Sequence, residues 1–386
     1  MNILLVTGVF PSSNREKVLG GGAKAVYIIA SGLSKRGHTV KILAPGVNNQ
    51  EWKYQGVSVI SIRSNSIFEK DNDFLIGLSI VRRELEFQRA ITKINENWKI
   101  DVIQYAGWYG VGLLHFSRIP SVMRISSYTK QLDLGYSDRR TKMLSCLECM
   151  AAQRMNFIYA PGNVTVKALE RDTKRKVATI ETPYIPELVK EDTKIFDTKL
   201  YGKRYLLFFG NFQPYKGIYV IKDILNNILT KYEDIYFVFV ANVPEKKMER
   251  EFITAAGENG DRVMFLGKLP HTSLFPIIRE AESILMPSLM DNFPNGCAEA
   301  MALGNVVIGT DGSSLEQFIT DGYNGFLAQR NSAESLEEKV NQSLNLSVEE
   351  RKKMIQHAKE RIKELDPEDY FTKLEKIYTK VINRNR

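Results

Sequence analysis

The sequence predicts an α/β protein built from two doubly wound, largely parallel-sheet domains. Short continuous apolar runs of strand length recur along the chain, as expected of strands buried on both faces. They alternate with longer segments of helical periodicity, the order that produces a parallel sheet. The alternation runs twice, over residues 1–185 and again over 204–364. Between them, residues 186–203 are polar, contain Pro186 and show no sustained period, which reads as a linker. A chain of 386 residues is long enough for two or three domains with real cores.

The elements follow in order. Residues 2–9 form an apolar run of strand length. A polar loop reaches Gly20, Gly21 and Gly22, which open a helix whose Val26, Ile29, Ala30 and Leu33 share one stripe and which stops at Gly37. Residues 38–44 are the second strand, completing a βαβ unit. The three glycines sit where a helix N-terminus can hold an anion, but they lack the G-x-G-x-x-G spacing of a dinucleotide site, and a plain turn fits equally well. A strand at 56–63 and a helix over 74–97 come next, with Leu75, Leu78, Val81, Leu85 and Ile91 as the expected buried stripe. Strands at 101–105 and 120–126 flank a loop holding Gly107, Gly110 and Gly112. A helix over 140–155 carries Cys146 and Cys149, expected as two buried small residues and not as half of a metal site. Strands at 156–160 and 178–184 close this half.

The second half begins with a strand at 205–210. Helices over 217–232, 245–256, 273–280 and 297–303 then alternate with strands at 235–241, 262–266 and 282–286. Short strands follow at 306–310 and 325–327, before a charged helical tail from about 333 to 385.

Hydrophobic content of 44% and charged content of 25% are those of an ordinary soluble globular protein. No run approaches the roughly 20 apolar residues of a membrane helix. The N-terminus reads as a strand and not as a signal peptide, and three cysteines suggest a reducing cytoplasm. The net charge of +8 admits nucleic acid, an anionic membrane or an anionic substrate as partner. No nucleic-acid motif accompanies it. Basic clusters at Arg82-Arg83, at Arg139-Arg140 with Lys142, and over 171–176 fit either solvated helix faces or docking onto anionic lipid at the inner face of the plasma membrane.

Two stretches carry candidate chemistry. In residues 286–304 (MPSLMDNFPNGCAEAMALG), Asp291 and Glu299 bracket the passage from a turn-rich loop to a small-residue helix. A helix N-terminus offers unpaired N–H groups and a positive dipole end to a phosphate, while carboxylates beside it accept hydrogen bonds from sugar hydroxyls. A turn capped by two surface acids is the plainer alternative. Residues 210–217 (GNFQPYKG) place Lys216 between a strand and a helix, where an ammonium can reach a phosphate.

Together these stretches resemble glycosyltransferase family 4, retaining nucleotide-sugar-dependent enzymes of the GT-B fold. Pro287, Ser288, Phe293, Pro294, Glu299, Ala300, Met301, Ala302 and Gly304 fall on the family's donor-sugar motif, with Asp291 where a Glu is usual. Lys216-Gly217 fall on a G-R-x4-K-G pattern, with Asn211 replacing the Arg; Arg124 and Lys268 are candidates to supply the missing cation. Gly21 and Gly22 match a glycine pair near the donor diphosphate. Ser126 stands where the family often has a His.

The resemblance implies two Rossmann-like domains facing across a cleft, with a C-terminal helix (about 365–386) crossing back to the first. The first domain would take the acceptor and the second the donor. It implies a hexosyltransferase moving a sugar from a UDP- or GDP-sugar to a saccharide or lipid-linked saccharide acceptor in cell-surface polysaccharide synthesis, without a metal cofactor. Lys216 would neutralise the departing phosphate. Glu299 would hold the nucleotide ribose, and Asp291 with Asn292, Phe293, Pro294 and Asn295 the sugar. The departures at Asn211, Ser126 and Asp291 leave a second reading, a non-catalytic sugar-nucleotide- or glycan-binding subunit.

Overall fold

The computed structural model describes residues 1–11, 20–64, 72–131 and 138–385. They form two compact units, residues 1–183 with 367–386, and residues 184–366.

The first unit is an eight-stranded sheet in the order β3-β4-β2-β1-β5-β6-β7-β8. Its strands are β1 (Asn2–Val6), β2 (Thr39–Gly46), β3 (Gln50–Tyr54), β4 (Val57–Arg63), β5 (Val102–Ala106), β6 (Ser121–Arg124), β7 (Phe157–Ala160) and β8 (Ala178–Thr179). All pairings are parallel except β3 with β4. That hairpin was not anticipated. Its turn, Gln55-Gly56, has φ of 45° and 89°, the two left-handed positions that a tight hairpin needs, while β3 is mostly exposed and so shows no apolar run. The strand order reverses at β1, which has β2 on one side and β5 on the other.

Helices α1 (Gly21–Lys35), α2 (Asp73–Asn97), α3 (Arg139–Gln153) and α4 (Asn163–Thr173) belong to this unit. The helix over 74–97 is where the sequence placed it, but turned. Its buried face is Ile76, Ile80, Arg83, Glu84, Phe87 and Ile91. Leu75, Leu78, Val81 and Leu85 are 42%, 51%, 39% and 47% exposed. Two apolar sets share one helix, and an ion pair occupies the buried face, so hydrophobicity alone selected the wrong set. Cys146 is exposed and Cys149 half-buried, with its Sγ 3.0 Å from the Tyr128 hydroxyl, so the pair is not buried as expected. Two members of the basic clusters are also spoken for. Arg83 lies in the interior, and Arg175 donates to the carbonyls of Ala152, Gln153 and Met155 at the end of α3.

The C-terminal helix, Pro367–Arg384, packs into this unit through Tyr370, Phe371, Leu374, Tyr378, Val381 and Ile382. A Cβ on Gly32 would stand 1.8 Å from the Phe371 ring, so only glycine lets α1 approach this closely. Arg36 at the end of α1 grips Glu375 with two hydrogen bonds of 2.9 and 2.8 Å and holds its carboxyl down at about 2.

The second unit is a six-stranded parallel sheet in the order β11-β10-β9-β12-β13-β14. Its strands are β9 (Arg204–Asn211), β10 (Ile235–Asn242), β11 (Val263–Phe265), β12 (Ser283–Leu285), β13 (Val307–Thr310) and β14 (Phe326–Ala328). The order reverses between β9 and β12. Helices α5 (Lys194–Lys199), α6 (Ile218–Lys231), α7 (Lys246–Ala255), α8 (His271–Arg279), α9 (Asn295–Ala302), α10 (Ala333–Leu344) and α11 (Val348–Lys363) complete it, making the C-terminal helix α12. The stretch read as a linker lies inside this unit, where it carries α5 and buries Leu200 completely. Phe208, Phe212, Phe239, Phe252 and Phe265 form an aromatic cluster in its core.

Candidate functional site

In doubly wound sheets, ligands bind beyond the C-terminal ends of the strands where the order reverses. In the second unit those ends belong to β9 and β12. The loops that follow them carry Lys216 and Asp291.

The loop after β9 is anchored by Phe212, whose side chain turns into the core, so that Asn211 and Gln213 on either side stay exposed. Pro214–Lys216 form one 3₁₀ turn, closed by the Lys216 N–H on the Gln213 carbonyl at 2.9 Å. Lys216 therefore ends this turn and does not start α6. Gly217 follows with φ 74° and caps α6. A Cβ there would lie 1.8 Å from the Pro287 carbonyl oxygen. Glycine is required by both the backbone angle and the neighbouring loop.

That close approach docks the two loops. The Leu289 N–H donates to the Tyr215 carbonyl at 2.9 Å, and the Asp291 N–H donates to the Ser313 carbonyl, past β13, at 3.1 Å. The Thr310 hydroxyl donates to the Ser288 carbonyl. The result brings Lys216 and Asp291, 75 residues apart, into contact: the Lys216 ammonium donates to Asp291 Oδ2. Their side chains are 24% and 15% exposed, so the pair is reachable from solvent. Asp291 Oδ1 accepts the Asn292 N–H at 3.0 Å, which turns the chain toward α9.

Phe293 packs on Phe318 with ring centroids 4.8 Å apart, Pro294 is buried, and Asn295 is exposed at the start of α9. Of the residues expected to hold the sugar, Phe293 and Pro294 shape the loop, whereas Asp291, Asn292 and Asn295 keep some access to solvent. Glu299 is half-buried on α9. The Tyr184 hydroxyl is raised by burial first and by the Glu299 charge second, which places this carboxylate beside Tyr184. Buried Cys297 sets its Sγ 3.6 Å from Met301 Sδ and fixes the inner face of the helix.

The remaining expected residues lie elsewhere. Gly21 and Gly22 open α1 in the first unit, exposed, with open space where a Cβ would stand. Arg124 also belongs to the first unit, where its guanidinium donates to the Ser126 and Thr182 hydroxyls. Lys268 is exposed beyond β11 at the sheet edge. One cation was not anticipated. Arg330, after β14, reaches the carbonyls of Gly312 and Leu289 at 3.3 and 3.4 Å and so borders the Asp291 loop. No local motif announces it; two strands must first be laid side by side.

A cation and a carboxylate on docked loops at the switch point of a parallel sheet suit a ligand that is both a sugar and an anion. Two such sheet domains are the architecture of the GT-B glycosyltransferases. Residues 190–361 match the model of the glycosyl transferases group 1, and residues 19–187 that of Glycosyltransferase Family 4; the chain belongs to this family. It is 24% identical over 324 residues to the phosphatidyl-myo-inositol mannosyltransferase of Mycobacterium leprae, covering 80% of each chain. An uncharacterized glycosyltransferase of Methanocaldococcus jannaschii is 28% identical over 172 residues, 45% of this chain and 47% of that one. The fold is shared with the sucrose-phosphate synthase of Thermosynechococcus elongatus (TM-score 0.80, 16% identity, 99% of both chains). It is also shared with Anabaena Alr3699/HepE in complex with UDP-glucose (TM-score 0.71, 14% identity, 98% of this chain and 100% of that one).

Proposed function

We propose that this protein is a retaining hexosyltransferase that moves a sugar from a UDP- or GDP-sugar to a saccharide or lipid-linked saccharide, in building a cell-surface polysaccharide. The observation that carries this reading is the Lys216–Asp291 contact on two docked loops. When donor binds, Lys216 exchanges the carboxylate for the diphosphate and neutralises the charge that develops on the leaving group. Asp291 is thereby released to accept a sugar hydroxyl, together with the backbone of residues 292–295. Glu299 takes the ribose. The acceptor hydroxyl attacks the anomeric carbon from the leaving-group side. As the bond from that carbon to phosphate oxygen breaks, the new glycosidic bond forms and the hydroxyl proton passes to a phosphate oxygen. Protein cations serve where other transferases use a metal, so turnover should persist in a chelator.

A lipid-linked acceptor would be met at a membrane surface. Among the described residues no helix is long and apolar enough to cross a membrane. Phe74, Leu78, Val81 and Leu85 instead form an exposed stripe within an arc of roughly 60° on α2. Arg82 and Arg89 stand beside it, and Arg139 and Lys142 are exposed at the start of α3. An apolar stripe flanked by cations suits anionic lipid.

The test is turnover of a panel of UDP- and GDP-sugars by Lys216→Ala and Glu299→Ala. Lys216→Ala should lower kcat about 100-fold or more. Glu299→Ala should chiefly raise the KM for donor. Near-normal turnover in both variants would refute the assignment.

A further inference from the structure

The first unit has a switch point of its own, between β1 and β5, and the loop after β5 reads Gly107-Trp108-Tyr109-Gly110-Val111-Gly112. The loop after β1 packs against it: a Cβ on Gly8 would lie 3.1 Å from the Val111 side chain and 3.4 Å from the Arg83 guanidinium. Tyr109 has φ 49°, a left-handed angle that side chains other than glycine seldom adopt.

Three interior charged side chains hold it there. The Tyr109 N–H donates to Glu148 Oε1 at 3.1 Å, and the Tyr109 carbonyl accepts from Arg83 Nη2 at 2.7 Å. The Gly112 N–H donates to Glu84 Oε2 at 2.8 Å, while Glu84 Oε1 pairs with Arg83 at 3.0 Å. Glu148 also accepts from the Thr129 N–H at 2.9 Å and the Thr129 hydroxyl at 2.6 Å, tying in the loop after β6. Buried charges and strained backbone both oppose folding, so their concentration on one short loop points to what the loop presents.

It presents Trp108. The indole stacks on the Tyr109 ring at 4.4 Å and 24°, and Tyr109 is itself backed by the Ile76, Ile80 and Leu144 cluster. Trp108 is half-buried and belongs to none of the hydrophobic cores; its indole N–H is buried and has no acceptor among the described residues. A rigidly supported aromatic that no core absorbs suits a pyranose, whose C–H face packs on the ring. We propose that Trp108, seated on Tyr109, is the platform for the sugar of the acceptor. The proposal rests on the reading of this protein as a transferase with a saccharide acceptor.

The experiment uses the full chain with Trp52 and Trp98 replaced by Phe, leaving Trp108 as the sole indole. Its emission is titrated with the octyl glycosides of glucose, galactose and mannose. At least one should give a saturable change. In the otherwise native chain, Trp108→Ala should raise the KM for that glycoside at least tenfold with kcat little changed, and Trp108→Phe, which keeps an aromatic ring of smaller face on Tyr109, should fall between. Melting temperatures close to the native one separate this from a structural role. No emission change with any of the three glycosides, or an unchanged KM in Trp108→Ala, overturns the proposal. Stabilisation by UDP-glucose or GDP-mannose, followed by thermal shift, reports on the second unit. Its absence would sink the donor reading, whereas its presence alongside a silent Trp108 would sink only the acceptor platform.

Discussion

The loop after β12 in the second unit hangs mainly on backbone hydrogen bonds, from Leu289 to Tyr215 and from Asp291 to Ser313, with the Thr310 hydroxyl on the Ser288 carbonyl and one glycine contact at Gly217. The loop after β5 in the first unit hangs on the side chains of Arg83, Glu84 and Glu148. Both loops occupy the switch point of a parallel sheet, yet they are held by opposite means. Backbone support leaves the side chain of Asp291 to pair with Lys216 of the loop after β9, within reach of solvent. Side-chain support commits three charges to the interior and leaves the first loop to present an aromatic surface. One loop thus carries its ion pair where solvent reaches it, and the other has its ion pair in the interior.

The sharpest way to break this comparison is to remove one charge from each unit. Glu84→Ala leaves Arg83 buried without its counter-ion and should cost about 3–5 kcal/mol of stability, read by denaturant unfolding. Asp291→Ala, in a solvent-reachable pair, should cost about 1 kcal/mol or less while lowering donor turnover about 100-fold. Equal stability losses would erase the distinction. Next in size is Gly217→Ala. The new methyl meets the Pro287 carbonyl and a left-handed backbone, for an expected loss of about 2–4 kcal/mol and a matching fall in donor affinity. An active, stable Gly217→Ala would mean that the two loops are not locked together.

A pH dependence should also arise in the first unit. Burial pushes the Glu148 carboxyl up to about 7, from an ordinary 4.5. Between those values the folded state binds the extra proton. Its stabilising contribution is therefore complete below about pH 4.5 and is lost as pH rises through 7, by about 3 kcal/mol at most. Glu84, also raised by burial, acts in the same direction. Melting temperatures should fall between pH 5 and 8, and Glu148→Gln should flatten that slope. A rising melting temperature over the same interval would contradict the brace.

Much of this was legible in the sequence. Parallel strands buried on both faces appear as unbroken apolar runs, so β1, β2, β9 and β10 could be found without a template. The stretches around Lys216 and Asp291 were legible through their likeness to a family motif, in which Gly217 and Gly304 answer to left-handed backbone, with φ of 74° and 86°. The buried face of α2 was not, because Arg83 and Glu84 look like surface residues until the Gly107–Gly112 loop stands opposite them. β3 escaped because its exposed residues carry no apolar signature. Trp108 escaped because its importance comes from a left-handed Tyr109 that no composition or period encodes.

By itself the sequence determined the order of most strands and helices, β3 and α5 excepted, and the chemistry available on each loop, since propensity, period and turn preference act over a few neighbours. Only the tertiary structure decided which stripe of α2 faces inward, that Arg83 and Glu84 are interior, and that Lys216 meets Asp291 from 75 residues away. Those outcomes depend on what another strand or loop places opposite a side chain. Burial and pairing are properties of that juxtaposition, and no single stretch of chain contains it.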